Sequence, residues 1–444
     1  MIRKTEQNRA FQIPSSLSND AADRLLKILA EESSPPTLRI PSKIKTRSLT
    51  AQPALLQAII TWGQLGSKRH LSTFLTQDRD LTLRTLDRNE CLLTACLFAT
   101  EIADAGGVDI TLNIKALLPL VLKDKTDLPQ KRSGQRVGTS RSIMAVDHMP
   151  RFAYPLSLYR EGSTYDEEPF VIDDKVKPKY YLPGLENRTQ EELDTIRLPL
   201  GFKACDMSQV ASDPVINEAA VPLGEIIFEL FQNTHVHARK RVDGTNLEKS
   251  VRMLHVRALE ERRGDLLSVD PDDAELRSYL ENVPALAPVN MNRGRLAESL
   301  LNDQLRFVVV SVLDCGPGIG PRESWTSGNQ SNALSQVDDV AYIKAALAKR
   351  GTTLGRPLRG KGLQNVQALL SMLGGYARIS TGTTKISRDF ISRPFGRGDS
   401  EADRWVFENL VQASDGESDQ IGTCGTAVTM VLPIYRLKAL RSNA

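Results

Sequence analysis

The stretch Arg306-Phe-Val-Val-Val-Ser-Val-Leu313 leads directly into Asp314-Cys-Gly-Pro-Gly-Ile-Gly320. The apolar first half predicts a buried strand, and the glycines of the second half predict a tight turn with close backbone approaches. Such a turn alone is only a weak indication of function. Two further motifs give it weight, because Glu229-Leu-Phe-Gln-Asn233 lies upstream and Gly360-Lys-Gly362-Leu363 lies downstream.

The upstream motif offers two side chains suited to catalysis on a nucleotide. Glu229 and Asn233 are four residues apart, so one face of a helix presents both. The amide oxygen of Asn233 can ligate Mg²⁺. The carboxylate of Glu229 can orient or deprotonate an attacking water.

The strand-and-turn motif and the downstream motif suit the base and the phosphates. Asp314 can accept a hydrogen bond from the exocyclic amine of adenine. Gly316 and Gly318 allow the backbone to pass close to the base. Gly360 and Gly362 precede an apolar run that predicts a helix, and amides at a helix start favour phosphate. The three motifs together therefore indicate an ATP-Mg²⁺ site.

The order Glu-x-x-x-Asn, Asp-x-Gly-x-Gly-Ile, Gly-x-Gly-Leu and a final Gly-Thr before a strand resembles the GHKL superfamily. This superfamily includes DNA gyrase B, the ninety-kilodalton heat-shock chaperone, histidine kinases and MutL. The resemblance covers residues 215–436 and implies a Bergerat fold, in which a mixed sheet is layered with helices. It implies that ATP and Mg²⁺ bind between these helices and a mobile lid.

The resemblance also implies a role for each motif residue. The implied site consists of catalytic Glu229, the Mg²⁺ ligand Asn233, and the ATP-binding residues Asn233, Asp314, Gly316, Gly318, Ile319, Gly360, Lys361, Gly362, Leu363 and Thr426. Thr426 belongs to the Gly-Thr step before the final strand and would support the adenine-binding Asp314.

Three activities remain open within this resemblance. The leading hypothesis is a Mg²⁺-dependent ATPase that hydrolyses ATP slowly and uses the bound state as a conformational switch. The run from Glu229 to Ala238 also resembles the Glu-x-x-x-Asn-x-x-x-His-Ala of anti-sigma-type serine kinases, which would phosphorylate a regulatory partner. The third hypothesis is a nucleotide sensor that binds ATP without hydrolysing it.

Histidine autokinase activity is disfavoured by the upstream histidines. His70 lacks the acidic residue that usually follows the acceptor histidine in that family. His148 is followed two residues later by Pro150, which breaks a helix.

Composition limits the class of protein. The 444 residues exceed one ordinary core, so two or three domains are expected. A composition of 41% apolar and 25% charged residues is typical of soluble globular proteins, and the net charge of +3 gives no argument for nucleic acid. Five scattered cysteines, no long apolar stretch and no signal-like N-terminus lead us to expect a cytoplasmic protein without membrane contact.

The expected fold class is α/β (α+β), with three parts along the chain. Residues 1–48 form a polar lead-in, and residues 49–200 form an N-terminal α/β domain with a basic loop at 123–142. Residues 215–436 form the ATP-binding domain, with charged insertions near 259–302 and 383–403. The N-terminal domain is expected to bind a protein partner. Homodimerisation and a nucleic-acid contact of the basic loop remain open.

Overall fold

The computed structural model describes residues 10–31, 34–46, 48–126, 140–146, individual residues between 226 and 250, and then 251–269, 273–284, 304–326, 336–348, 362–396, 399–409 and 422–433. Helices and sheets are both present, as expected for the α/β class. None of the described helices is long and apolar enough to cross a bilayer.

The N-terminal unit is built on a four-stranded parallel sheet. Its strands lie in the order β1 (Ala10–Gln12), β3 (Thr37–Ile40), β5 (His70–Thr73) and β6 (Glu101–Ala103). Two short strands, β2 (Ser16–Leu17) and β4 (Lys45–Thr46), pair separately. The helices of the unit are α1 (Asn19–Glu31), α2 (Ala51–Gln64), α3 (Arg79–Arg88), α4 (Glu90–Phe98) and α5 (Thr111–Thr126).

The polar lead-in predicted for residues 1–48 was wrong from Ala10 onward. Strands β1 and β3 belong to the parallel sheet, and α1 packs against α2 in the same core. The reason is that α1 is amphipathic: Leu25, Leu26 and Leu29 are buried while its charged residues face outward. The unit therefore begins about forty residues earlier than the predicted boundary at 49.

The C-terminal sheet has seven strands in the order β12-β11-β10-β13-β9-β8-β7. Their bounds are β7 (Ser140–Val146), β8 (Val251–Arg262), β9 (Gln304–Asp314), β10 (Tyr376–Gly382), β11 (Thr384–Asp389), β12 (Val406–Asn409) and β13 (Thr423–Pro433). Every pairing between these described strands is antiparallel. The mixed sheet implied by the resemblance is therefore not what the described strands form.

Two predicted boundaries also change. Ser140–Val146, expected in the basic loop and the N-terminal domain, forms the edge strand β7 of the C-terminal sheet. The expected insertion at 383–403 contains strand β11, which pairs with β10 and β12. Strand β11 (Thr-Lys-Ile-Ser-Arg-Asp) is mostly polar, and a strand near an edge tolerates polar residues. The expected insertion at 259–302 contains the end of β8 and the helices α6 (Arg263–Val269) and α7 (Ala274–Asn282).

The two faces of the C-terminal sheet carry different layers. On β9, Val308, Val310 and Val312 face a core formed with the helical residues between 226 and 234 and with α9 (Gln336–Ala348) and α10 (Gly362–Leu373). A further helix, α8 (Ile319–Thr326), follows β9 directly. We call this side of the sheet the front face.

The opposite side, the back face, is covered by α7 and by the N-terminal unit. Leu313 at the end of β9 shares one continuous core with the helices of the N-terminal unit. Helix α2 is buried on nearly all sides because it lies between the parallel sheet and the seven-stranded sheet. Buried residues of α2 such as Ile59 and Ile60 each contribute about 2 kcal/mol to folding.

Candidate functional site

The carboxyl group of Asp314 is held at the end of β9 by two main-chain amides. Its Oδ1 accepts hydrogen bonds from Gly316 N at 2.9 Å and from Thr426 N at 3.2 Å. Thr426 lies there because β13 pairs with β9, with Ala427 opposite Leu313. Both bonds end on Oδ1, which fixes the carboxyl plane and leaves Oδ2 as the oxygen suited to a ligand donor.

The environment of Asp314 raises the pKa of its carboxyl group. Burial raises its pKa from 3.8 to about 6, while the two amides and the nearby Arg252 act in the opposite direction. The side chain is 9% exposed. Above a pH of about 6 it is an ionised acceptor in a buried environment, where a hydrogen bond to a charged group is stronger than in water.

The glycines of the turn after β9 are required by close contacts. A Cβ on Gly316 would lie 2.8 Å from Ala238 Cα, so this turn packs directly on the backbone that follows Asn233. Gly318 has a φ of +89°, and a Cβ there would lie 2.8 Å from Thr381 Oγ1. Only glycine fits both positions without displacing backbone or a fixed side chain.

Two threonine hydroxyl groups brace the same turn from β10 and β13. Thr381 Oγ1 accepts a hydrogen bond from Ile319 N at 2.9 Å and lies 3.3 Å from Thr426 Oγ1. Gly425 has a φ of +79°, and a Cβ there would overlap the carbonyl oxygen of Asp314. The turn after β9 is thus fixed by contacts with β10 and β13.

Glu229 lies against the other glycine motif. A Cβ on Gly362 would lie 2.7 Å from Glu229 Oε2 and 3.6 Å from its Cδ. Gly362 is the first residue of α10, so the carboxylate sits at the positive end of a helix. The buried neighbours Ile226 and Leu230 anchor the Glu229 segment on the front face.

The contacts among the described residues form two groups. One joins Asp314, Gly316, Gly318, Ile319 and Thr426 at the end of β9, and the other joins Glu229 to Gly362 at the start of α10. Asn233 is half-buried one helical turn after Glu229, and Leu363 packs against the front-face core. Two predicted residues, Gly360 and Lys361, lie outside the described part of the chain.

Two functional candidates were missed by the sequence prediction. Thr381 bridges the turn and Thr426, but a threonine in a strand carries no motif. Asp339 of α9 is buried, and its Oδ2 accepts bonds from Thr383 N at 3.0 Å, Thr383 Oγ1 at 3.1 Å and Thr384 Oγ1 at 3.1 Å. Burial raises the pKa of Asp339. An acidic residue near the start of a helix is ordinarily exposed, so nothing in the sequence distinguished it.

The donor set suits Mg²⁺ only together with a nucleotide. Among the described histidine, cysteine, aspartate and glutamate residues, no group of three or more could hold a metal ion. Mg²⁺ is commonly held by one or two protein oxygens together with phosphate oxygens and waters. The amide oxygen of Asn233 fits that arrangement, with the phosphates supplying the rest.

Comparisons with known proteins supply no family assignment. The chain matches no family model, no curated protein and no solved structure.

Proposed function

We propose that the protein is an Mg²⁺-dependent, ATP-binding protein of the GHKL type that hydrolyses ATP slowly and uses the bound state as a switch. The observation that carries the proposal is that one segment contacts both glycine motifs. Glu229 meets Gly362, and Ala238 meets Gly316. A base bound at Asp314 and phosphates bound at Gly362 would therefore lie along the same segment.

Each end of the proposed site has a defined task. Asp314 Oδ2 would accept the adenine amine, and Gly316 and Gly318 would let the base approach the backbone. The first amides of α10 at Gly362 would bind the phosphates. Mg²⁺ held by Asn233 and the phosphates would offset their charge and polarise the terminal phosphate. Glu229 would orient the attacking water.

The test separates hydrolysis from binding. Glu229→Gln keeps the size of the side chain but removes the base, and we expect phosphate release to fall at least a hundredfold while ATP affinity stays within about threefold. Purified protein is assayed for phosphate release, and ATP binding is measured by calorimetry. Full hydrolysis by Glu229→Gln would show that Glu229 is not the base.

A serine kinase is the second candidate, favoured by the His237-Ala238 pair that follows the Glu-x-x-x-Asn motif. Labelled γ-phosphate recovered on a co-purified protein, with little free phosphate, would select this activity. Tight ATP binding with no product under any partner condition would select a nucleotide sensor instead. The N-terminal unit is the proposed partner-binding module in all three cases.

A further inference from the structure

We propose that Thr61 and Gln57 of the N-terminal unit are positioning residues for the adenine pocket. The inference rests on the proposed function for the identity of the ligand, whereas the hydrogen bonds from α2 to the strands do not depend on ATP. Both residues lie on α2, which contacts the back face of the sheet whose strand ends build the pocket. Neither residue reaches a nucleotide bound on the front face, so any effect must pass through the strands.

Thr61 holds the strand that carries Thr426. Its side chain is fully buried, and Oγ1 accepts a hydrogen bond from Cys424 N at 3.0 Å while donating to Gln57 O at 2.9 Å. Cys424 is separated from Thr426 only by Gly425. Thr426 N in turn donates to Asp314 Oδ1. The amide that bonds to Thr61 therefore lies only two residues along β13 from the Thr426 amide, which fixes the Asp314 carboxyl group.

Gln57 holds the neighbouring strand at the equivalent level. Its Nε2 donates to Ser380 O at 2.9 Å and to Thr423 Oγ1 at 3.1 Å. Ser380 immediately precedes Thr381, whose hydroxyl accepts the Ile319 amide. Thr423 Oγ1 donates to Gly382 O at 3.1 Å. One buried amide thus ties β10 and β13 together one residue from the threonine that braces the pocket.

These bonds are placed where the strands lack a regular ladder. The β10–β13 pairing is in register up to Thr381 opposite Thr426, and then shifts so that Gly382 faces Thr423. Gly425 adds a positive φ at the same point. An irregular strand end is not held by ladder hydrogen bonds alone, and α2 supplies the missing donors and acceptors. The N-terminal unit therefore sets the position of Gly425 and Thr426.

The test uses a pair of isosteric substitutions with a matched control. Thr61→Val removes the hydroxyl at nearly constant shape, and Thr61→Ser restores it. Thr94→Val is the control, because Thr94 is also fully buried in the N-terminal unit and its Oγ1 has no partner among the described residues. Hydrogen exchange is followed by mass spectrometry on fragments covering residues 422–428, without nucleotide.

We expect Thr61→Val to speed exchange of the Thr426 amide about tenfold, the effect of losing one buried hydrogen bond. Thr61→Ser and Thr94→Val should stay within about twofold of the unmodified protein. The Thr426 amide decides the matter, because it does not touch Thr61. Gln57→Met, which removes both strand contacts at similar volume, should give the same local result.

Binding supplies the second readout. ATP affinity should fall about tenfold in Thr61→Val, while binding of ITP, which lacks the adenine amine, should be unchanged. Equal exchange in Thr61→Val and Thr94→Val would overturn the inference. If Thr61→Val speeds exchange at Thr426 but the unmodified protein does not bind ATP, the positioning role is upheld and the proposed function is refuted.

Discussion

Replacing Asp314 with asparagine should abolish adenine recognition and at the same time stabilise the protein without nucleotide. The substitution keeps the shape of the side chain and keeps an Oδ1 that can accept from Gly316 N and Thr426 N. It removes a buried carboxyl group whose pKa is raised from 3.8 to about 6. That difference corresponds to about 3 kcal/mol of destabilisation of the folded state when the group is ionised.

The expected gain depends on pH in a defined direction. When folding raises the pKa of a carboxyl group, ionisation of that group destabilises the folded state. This destabilisation is complete above the folded pKa and vanishes below the unfolded pKa. The stability gain of Asp314→Asn should therefore be about 3 kcal/mol at pH 8, about half of that at pH 5, and near zero below pH 4. ATP affinity should fall at pH 8, where Asp314 is ionised, because the asparagine amide cannot accept from the adenine amine in the same geometry.

The assay is chemical denaturation without nucleotide at pH 5 and pH 8, paired with ATP binding by calorimetry at pH 8. Asp80→Asn is the matched control, because Asp80 is exposed in the first turn of α3 and lies far from the pocket in the fold. The control should change stability by less than about 0.5 kcal/mol. A gain for Asp314→Asn that is the same at both pH values would refute the burial argument. Undiminished ATP affinity would refute the assignment of Asp314 to the base.

Three further outcomes follow from the contacts. Gly425→Ala should lower stability by well over 2 kcal/mol, because its Cβ would overlap a backbone carbonyl, whereas Gly107→Ala, with a similar φ of +83° and open space, should cost only about 1 kcal/mol in the same melts. Asp273→Ala should cost about 3–5 kcal/mol, because the buried Arg378 guanidinium keeps its hydrogen bond to Thr50 but loses its carboxylate partner. Asp403→Ala, at an exposed pair, should cost less than about 1 kcal/mol. Chelation of Mg²⁺ should weaken ATP binding, measured by calorimetry, at least tenfold in the unmodified protein and have little further effect in Asn233→Ala. An undiminished Mg²⁺ effect in the variant would contradict the role of Asn233 as a Mg²⁺ ligand.

Local patterns predicted the core strands and the pocket turn well. The apolar run 306–313 became β9, and the apolar run that follows Gly360 and Gly362 became α10 (Gly362–Leu373). These elements are long and apolar, so burial determines them regardless of their neighbours. The turn after β9 was also predictable, because its glycines are required by local sterics at Gly316 and Gly318.

The missed features depend on partners that are distant in the sequence. Strand β7 looked like part of a basic loop because Arg141 interrupts it, and only pairing with β8 makes it a strand. The antiparallel order of the C-terminal sheet follows from pairing between distant strands, which the alternation of apolar and polar residues along one strand does not specify. Asp339 and Thr381 gained their significance only when α9 and β10 met the turn.

The shared core behind the C-terminal sheet has a consequence for how the protein can be divided. Helix α2 packs against α1, α4 and the strand β13, and the edge strand Ser140–Val146 comes from the stretch of chain that follows the N-terminal unit. A fragment beginning near residue 215 would lose that edge strand and expose the apolar residues Met253 and Leu313 to water. The two halves are therefore not independent modules. A protein with a different N-terminal unit would also need different residues on the back face of the C-terminal sheet.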